Sequence, residues 1–310
     1  MQRMTSRIGI GAGDVPSTLI ALSRRWTGWL LVPILPVLVI SASGRLPSWA
    51  FMWLLAFSIY GGLKWLTWRK WRTQIPHAAW RSAAYLLAWP GMDAKSFLDD
   101  ETNISSPRIS AWLKAIFVTA LGLLLFCVGA RTLPANQLLL QGWVGMLGVV
   151  LTLHFGVFKL LALFWQSMGV NAVPIMSAPL LSKSLGEFWG RRWNLGFRDL
   201  AYQFVFVPAG KKFGTGGASF LVFIVSGLIH DLVISLPARG GYGLPTLYFA
   251  IQGAATALER TPAGKRLGLH QAWRSRLFMV AAAVVPAFLL FHRPFVLRVI
   301  IPCMKAVHVL

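Results

Sequence analysis

The sequence predicts an all-α fold: a multi-pass transmembrane helical bundle of about eight spans, with further interfacial helices on the cytoplasmic side. Three observations predict it. The 310 residues are 56% hydrophobic and only 13% charged, against about 45–50% and about 25% in ordinary soluble domains. Mean hydropathy is +0.62, and the apolar excess falls in long runs. The net charge is +21, from 30 Lys/Arg against 9 Asp/Glu, and the cations sit between those runs. Cations interrupted in this way form no continuous groove, so nucleic acid is not expected as a partner.

Apolar runs near 27–42, 47–65, 111–130, 138–166, 216–236, 244–258, 276–292 and 295–309 are the candidate spans. A span needs about 20 apolar residues, within about 17–25. The 138–166 run is longer and is expected to tilt or break, whereas 27–42, 244–258 and 295–309 are short. Pro33 and Pro36 in the first run each remove a backbone donor, which favours a kink. Residues 1–26 are polar and basic and hold no apolar core of a cleavable leader.

Cation asymmetry sets the orientation. With eight spans, one side collects 24 Lys/Arg and the other only Arg45, Arg131, Arg239 and Arg293. Lys159 and Arg298 stay inside spans. The positive-inside rule then places both termini and the large loops in the cytoplasm. The host membrane, bacterial inner membrane or endoplasmic reticulum, is left open. The 66–110 loop mixes aromatic and basic residues and suits helices lying on the membrane. Asn103-Ile-Ser105 fits a glycosylation sequon, but a cytoplasmic loop is not glycosylated. Cys127 and Cys303 both lie in apolar runs and suggest neither a disulfide framework nor a metal site. The whole of 1–310 reads as one membrane-embedded domain with its motif core at 172–236.

Two segments carry the chemistry. The first is Ser184-Leu-Gly-Glu-Phe-Trp-Gly-Arg-Arg-Trp-Asn194. Ser184 with Glu187 matches the S-x-x-E capping box, which predicts a helix from about Leu185 to Leu200. Three- and four-residue spacing then puts Glu187, Arg191, Asn194 and Arg198 on one stripe, with Trp189 and Trp193 on a neighbouring one. Two readings are open: an interfacial helix whose tryptophans and arginines meet lipid headgroups, or a cationic face for an anionic ligand with the Asn194 amide beside the chemistry.

The second is Ser226-Gly-Leu-Ile-His-Asp231, which sets His230 inside the 216–236 run. An ionisable group at that depth is costly. Ser226 lies four residues back on the same face, while Asp231 points about 100° away. Asp231 is therefore expected to neutralise a nearby Arg or Lys rather than to bond His230, and Ser226 to bond back into its own helix. Two readings stand here as well. One is a core histidine held by a neighbouring helix. The other is a general base, since burial disfavours the charged imidazolium and leaves a ring able to accept a proton. His154 is the rival intramembrane histidine. A serine hydrolase is a poor fit, because no nucleophile elbow surrounds Ser226.

At Phe188-Trp-Gly-Arg-Arg-Trp-Asn194 and Ser226-Gly-Leu-Ile-His-Asp231 the chain resembles the wax-synthase-like branch of the membrane-bound O-acyltransferase superfamily. The similarity covers about 172–236. The resemblance implies acyl transfer from acyl-CoA, the co-substrate, to the hydroxyl of a lipophilic alcohol inside the membrane, with no bound cofactor or metal. It implies His230 and Asn194 as catalytic residues, with Asp231, Ser226 and Trp193 in support. Family members often carry Glu where this chain has Asp231. On the cytoplasmic side Arg191, Arg192, Lys211 and Lys212 are candidates for the CoA phosphates. Alternative acceptors are a sterol, a terpenoid alcohol, diacylglycerol or a sugar hydroxyl. A reading of another class is a transporter or non-catalytic lipid-binding protein, with Lys159, Arg298, His154 and His230 lining a polar path. Neither the acceptor nor the oligomeric state is written in the sequence, because the apolar residues that decide them are scattered over several spans.

Overall fold

The computed structural model describes residues 28–101 and 104–310. The 1–26 segment and Asn103 of the sequon lie outside the described residues. Every described residue in a regular element is helical, and each of the eight apolar runs becomes a helix. With the motif helix α5 added, the helices in chain order are α1 (Leu31–Ser41), α2 (Ser48–Trp71), α3 (Ile109–Gly129), α4 (Leu138–Ser167), α5 (185–192), α6 (Leu195–Ala238), α7 (Leu244–Glu259), α8 (Ala272–Leu290) and α9 (293–306). One-turn and two-turn helices fill the 79–98 stretch and the connections.

Four of these helices, α3, α4, α6 and α8, are long and apolar enough to cross a membrane. Their outward faces agree with that. Leu113, Phe117, Leu124, Leu228, Val284, Val285 and Phe288 are all exposed, a density of outward apolar side chains that water would disfavour and lipid accommodates. α1 runs through Pro36 rather than ending there. α4 does not break. It loosens to π geometry over Leu151–Val157, a widening that recurs at functional sites.

Two features differ from the sequence expectation. The 216–236 run is only the second half of α6, which begins at Leu195 and bends at Gly214. There φ is +66°, a left-handed value that glycine adopts without strain. The bend separates the polar start of α6, with Lys211 and Lys212, from its apolar end. The other is the motif helix, which stops early and is described below.

α6 and α7 pack closely against each other. Their crossing rests on Gly227, where an added Cβ would come within 2.7 Å of the Thr246 Cα. Close approach of two backbones across a small residue is the usual way membrane helices associate. The pairing matters because each helix brings one half of the site.

Candidate active site

The motif helix α5 is held at its start by three groups. The Ser184 hydroxyl accepts from the Glu187 amide at 3.0 Å. The Glu187 carboxylate reaches back to the Lys183 amide at 2.7 Å, one residue beyond the usual capping-box partner. Glu259, at the far end of α7, accepts from the Leu185 and Gly186 amides at 2.7 and 2.9 Å. A carboxylate at a helix start meets unpaired N–H groups and the positive end of the dipole together.

The expected helix to Leu200 is broken. Phe188–Arg192 widens to a π turn, closed by the Trp193 amide donating to the Phe188 carbonyl at 2.8 Å. Trp193 is extended, and Asn194 sits in the left-handed region at φ +44°. Asparagine is among the few residues that occupy this region readily. A fresh helix then starts at Leu195, with the Asn194 Oδ1 accepting from the Phe197 amide at 3.4 Å. Glu187, Arg191, Asn194 and Arg198 are therefore not one helical stripe. Glu187 pairs with Arg192 at 2.7 Å, and Arg198 pairs with Asp199 while donating to the Gly190 carbonyl at 3.0 Å.

The arginines divide. Arg192 is committed: besides Glu187 it donates to the Ser177 and Ala178 carbonyls at 3.2 and 3.4 Å. It clamps the 175–178 strand-like segment onto the motif, where Leu195 also donates to the Ile175 carbonyl at 2.9 Å. A guanidinium so occupied has little left for a phosphate. Arg191 is exposed and makes no hydrogen bond or ion pair among the described residues. Lys211 and Lys212 are likewise exposed, and the Lys212 ammonium lies 5.3 Å from the Phe213 ring centroid.

His230 closes the helical part of α6 before the π turn Asp231–Ser235. Its Nδ1 lies 2.7 Å from the Ser226 carbonyl. A carbonyl only accepts, so a neutral ring carries its proton on Nδ1 and leaves the Nε2 lone pair free. Ser226 thus meets His230 through its backbone, and its hydroxyl is not part of the contact. Asp231 pairs with no cation among the described residues. Its carboxylate accepts from the Ser235 hydroxyl at 2.9 Å, from the Gly243 and Thr246 amides at 2.8 and 3.1 Å, and from the Thr246 hydroxyl. The physical reason is position: Asp231 faces the start of α7, whose first amides have no partner within their own helix. Ser235, fully buried, continues the network to His292 Nε2 at 3.2 Å.

α7 is therefore the bracket between the two motifs, a role the sequence reading did not assign to it. Asp231 holds its start, and its end holds α5 through Glu259. Between these, Phe249 packs on the His230 ring at 4.5 Å and on Trp189 at 5.8 Å. Buried Gln252 accepts from the Trp189 indole at 3.3 Å and donates to the Ala282 carbonyl of α8 at 2.7 Å. Trp189 in turn meets Trp193 at 6.2 Å. His230 and Asn194 are thus joined through Phe249, Trp189 and Trp193, and no hydrogen bond runs directly between them. The only sequence sign of this bracket is a lone Gln and a terminal Glu in a short apolar run.

Neither His230 Nε2 nor the Asn194 side-chain NH2 has a hydrogen-bond partner among the described residues, the Asn194 side-chain oxygen being used at the cap. One is a lone pair that can take a proton, the other a donor that can meet negative charge. A membrane-embedded helical protein with a pinned imidazole and a left-handed asparagine loop is the class this geometry defines.

Comparison with known proteins gives that class a family. Residues 172–251 match the model described as "Membrane bound O-acyl transferase family", a stretch that includes both motifs and the first half of the bracket helix. The chain is 30% identical over 197 residues to "Probable long-chain-alcohol O-fatty-acyltransferase 3" of Arabidopsis thaliana, covering 59% of this chain and 57% of that protein. It is 30% identical over 102 residues to "Long-chain-alcohol O-fatty-acyltransferase" of Simmondsia chinensis, 30% and 29% of the two chains. It is also 33% identical over 94 residues to "Acyl-CoA--sterol O-acyltransferase 1" of Arabidopsis thaliana, 28% and 27%. The chain spans about half the length of the curated relatives it matches. Over these stretches it is similar to the wax-synthase-like branch of the membrane-bound O-acyltransferase superfamily.

Proposed function

We propose that the protein is an integral-membrane O-acyltransferase that moves an acyl group from acyl-CoA to the hydroxyl of a lipophilic alcohol, forming an ester. The observation that carries this reading is the family match over 172–251, together with a free imidazole nitrogen on His230 and a free side-chain NH2 on Asn194, the two groups the reaction needs. His230 Nε2 takes the hydroxyl proton as the oxygen attacks the thioester carbonyl. The Asn194 NH2 stabilises the negative charge that develops on that carbonyl oxygen. The C–S bond then breaks, the new C–O bond completes the ester, and His230 returns the proton to the departing CoA sulfur. Asp231, Ser226 and Trp193 act through position: they fix α7, the imidazole tautomer and the aromatic link. Arg191, Lys211 and Lys212, exposed and without a carboxylate partner, draw the anionic donor to this face.

Eight spans with both termini in the cytoplasm is the topology that suits a donor arriving from that side. It is supported by the eight helical runs and the 24-to-4 cation split. Membranes carrying the protein should convert labelled acyl-CoA and a long-chain alcohol into ester, and His230→Ala membranes should not. Equal ester from both would remove His230 from the mechanism. The acceptor panel should include a sterol, the second reading, because one of the relatives carries a sterol acyltransferase name. It should also hold a terpenoid alcohol, diacylglycerol and a sugar. A transporter reading is weakened by Arg298, which is spent on the Ala238 and Arg239 carbonyls at 3.2 and 3.1 Å and so lines no open path. Flux of substrate across reconstituted vesicles without ester formation would restore it.

A further inference from the structure

Two cavities lie beside α4, and the smaller reaches the motif loop at Leu195. The larger, about 670 Å³, is lined by Arg108, Lys114 and Lys159, with serine hydroxyls from the start of α3 and Gln166 beyond them. The smaller, about 450 Å³, shares Phe155 and Lys159 with it and continues past His154 to Met176 and Leu195. Both fall near the size range of small-molecule sites, about 300–1,000 Å³. The far end of the smaller one is at the motif: Leu195 follows Asn194, and the Met176 sulfur accepts from the Asn194 amide at 3.3 Å. The Phe155 ring touches Trp193 at 6.1 Å.

Charge is the unusual feature. Arg108, Lys114 and Lys159 line one cavity that contains no carboxylate. None of the three makes a hydrogen bond, ion pair or ring contact among the described residues. Elsewhere the few acids are matched to cations or helix starts, as at Glu187, Asp199 and Glu259. Three like charges around one partly enclosed space repel one another, and an anion placed among them relieves that repulsion. A second observation lies further in: His154 Nδ1 is buried and has no partner, which costs free energy unless a ligand group meets it.

We propose that the cavity bounded by Arg108, Lys114 and Lys159 seats the phosphates of the acyl donor, whose thioester arm runs past Phe155 and His154 to the Asn194 loop. This rests on the acyl-CoA reading above. Arg191, Lys211 and Lys212 gather the donor, while the cations that line the cavity hold it. A phospholipid headgroup offers the same phosphate chemistry, and Arg108 stands at the first residue before α3, so the experiment must separate the two sources.

The full-length protein in nanodiscs would be assayed as wild type, as R108Q/K114Q, which alters two exposed side chains, and as K159Q. Each would be given the same acyl chain on CoA and on pantetheine, which lacks the nucleotide phosphates. Loss of charge-assisted contacts should raise KM for acyl-CoA about tenfold or more. KM for acyl-pantetheine and for the alcohol should not change, and R108K/K114R should restore the wild-type value. Equal KM for acyl-CoA in all variants overturns the proposal. Should the wild type make no ester from any alcohol, the acyl-transfer reading itself fails, and the cavity is then judged by binding. Calorimetric titration with CoA that is lost in R108Q/K114Q supports the seat. CoA binding that is unchanged, or a loss confined to phosphatidylglycerol vesicles, overturns it.

Discussion

The 184–259 region and the 105–166 region meet where Trp193 touches Phe155, yet they treat their polar groups in opposite ways. In the first, all four carboxylates are bonded, His230 and Asn194 are each pinned by a hydrogen bond, and cations without a partner, among them Arg191, Lys211 and Lys212, are exposed. In the second, three cations and a buried imidazole nitrogen have no partner. The contrast separates a part of the molecule that is preorganised from a part that is completed by what binds there. Catalytic groups gain from the first arrangement, since fixed dipoles need no reorganisation when charge develops. Recognition of a charged ligand uses the second.

The sharpest way to break this comparison is to exchange the fates of the two histidines. His230→Ala should lower ester formation by roughly 10²–10⁴-fold, the ordinary worth of a general base, while the protein still folds, because the only hydrogen bond lost is to a backbone carbonyl of its own helix. His154→Ala should leave the maximal rate within a few-fold and act on donor KM. Rates of labelled ester formation at saturating donor distinguish them. Similar losses at both positions would mean that the division between the regions is wrong.

Asn194 comes next, because its two roles can be separated. Asn194→Gly keeps the left-handed backbone and removes the amide. It should fold normally and lose activity by about 10²–10³-fold, as for removal of one oxyanion donor. Asn194→Ala adds strain at φ +44° and should also lower the thermal midpoint. A glycine variant with full activity would make Asn194 a conformational residue alone.

The bracket helix carries the third prediction. Asp231→Ala unmakes three hydrogen bonds at the start of α7 and one from Ser235, and should destabilise the protein by about 1–3 kcal/mol, read as a lower thermal midpoint and looser packing of Phe249 on His230. Asp231→Asn keeps one acceptor oxygen and should cost less. Glu259→Gln does the same at the other end, where it loosens α5.

The sequence and structure agree where hydropathy alone decides. All eight apolar runs are helices, because a long apolar segment has few other ways to satisfy its backbone in lipid. They part where one residue overrides a periodic pattern. The capping box at Ser184 starts a helix as read, but nothing in the heptad-scale spacing reveals the π turn or the left-handed Asn194 that ends it. Asp231 was legible as a group that does not bond His230, yet its partners, Gly243 and Thr246, lie across a loop whose path the sequence does not state. Phe249, Gln252 and Glu259 were missed for the same reason: each is ordinary within its own segment and meaningful only beside Trp189, His230 and Leu185.

The smallest effect concerns Glu187, outside the spans. Its carboxyl is held below its ordinary value of 4.5, first by the Lys183 amide and then by Arg192. A carboxyl depressed in the folded state contributes stability that is present above its unfolded value and is lost as pH falls through the folded one. The 175–178 clamp should therefore hold at neutral pH and loosen only in acid below about 4.5. Glu187→Gln should lower the thermal midpoint slightly at pH 7, since exposed pairs are worth little, and the gap to wild type should close as the wild-type carboxyl protonates. Thermal scans of both proteins between neutral and strongly acid pH would show it. A gap that persists unchanged through acid would mean that Arg192 holds the motif through the Ser177 and Ala178 carbonyls alone.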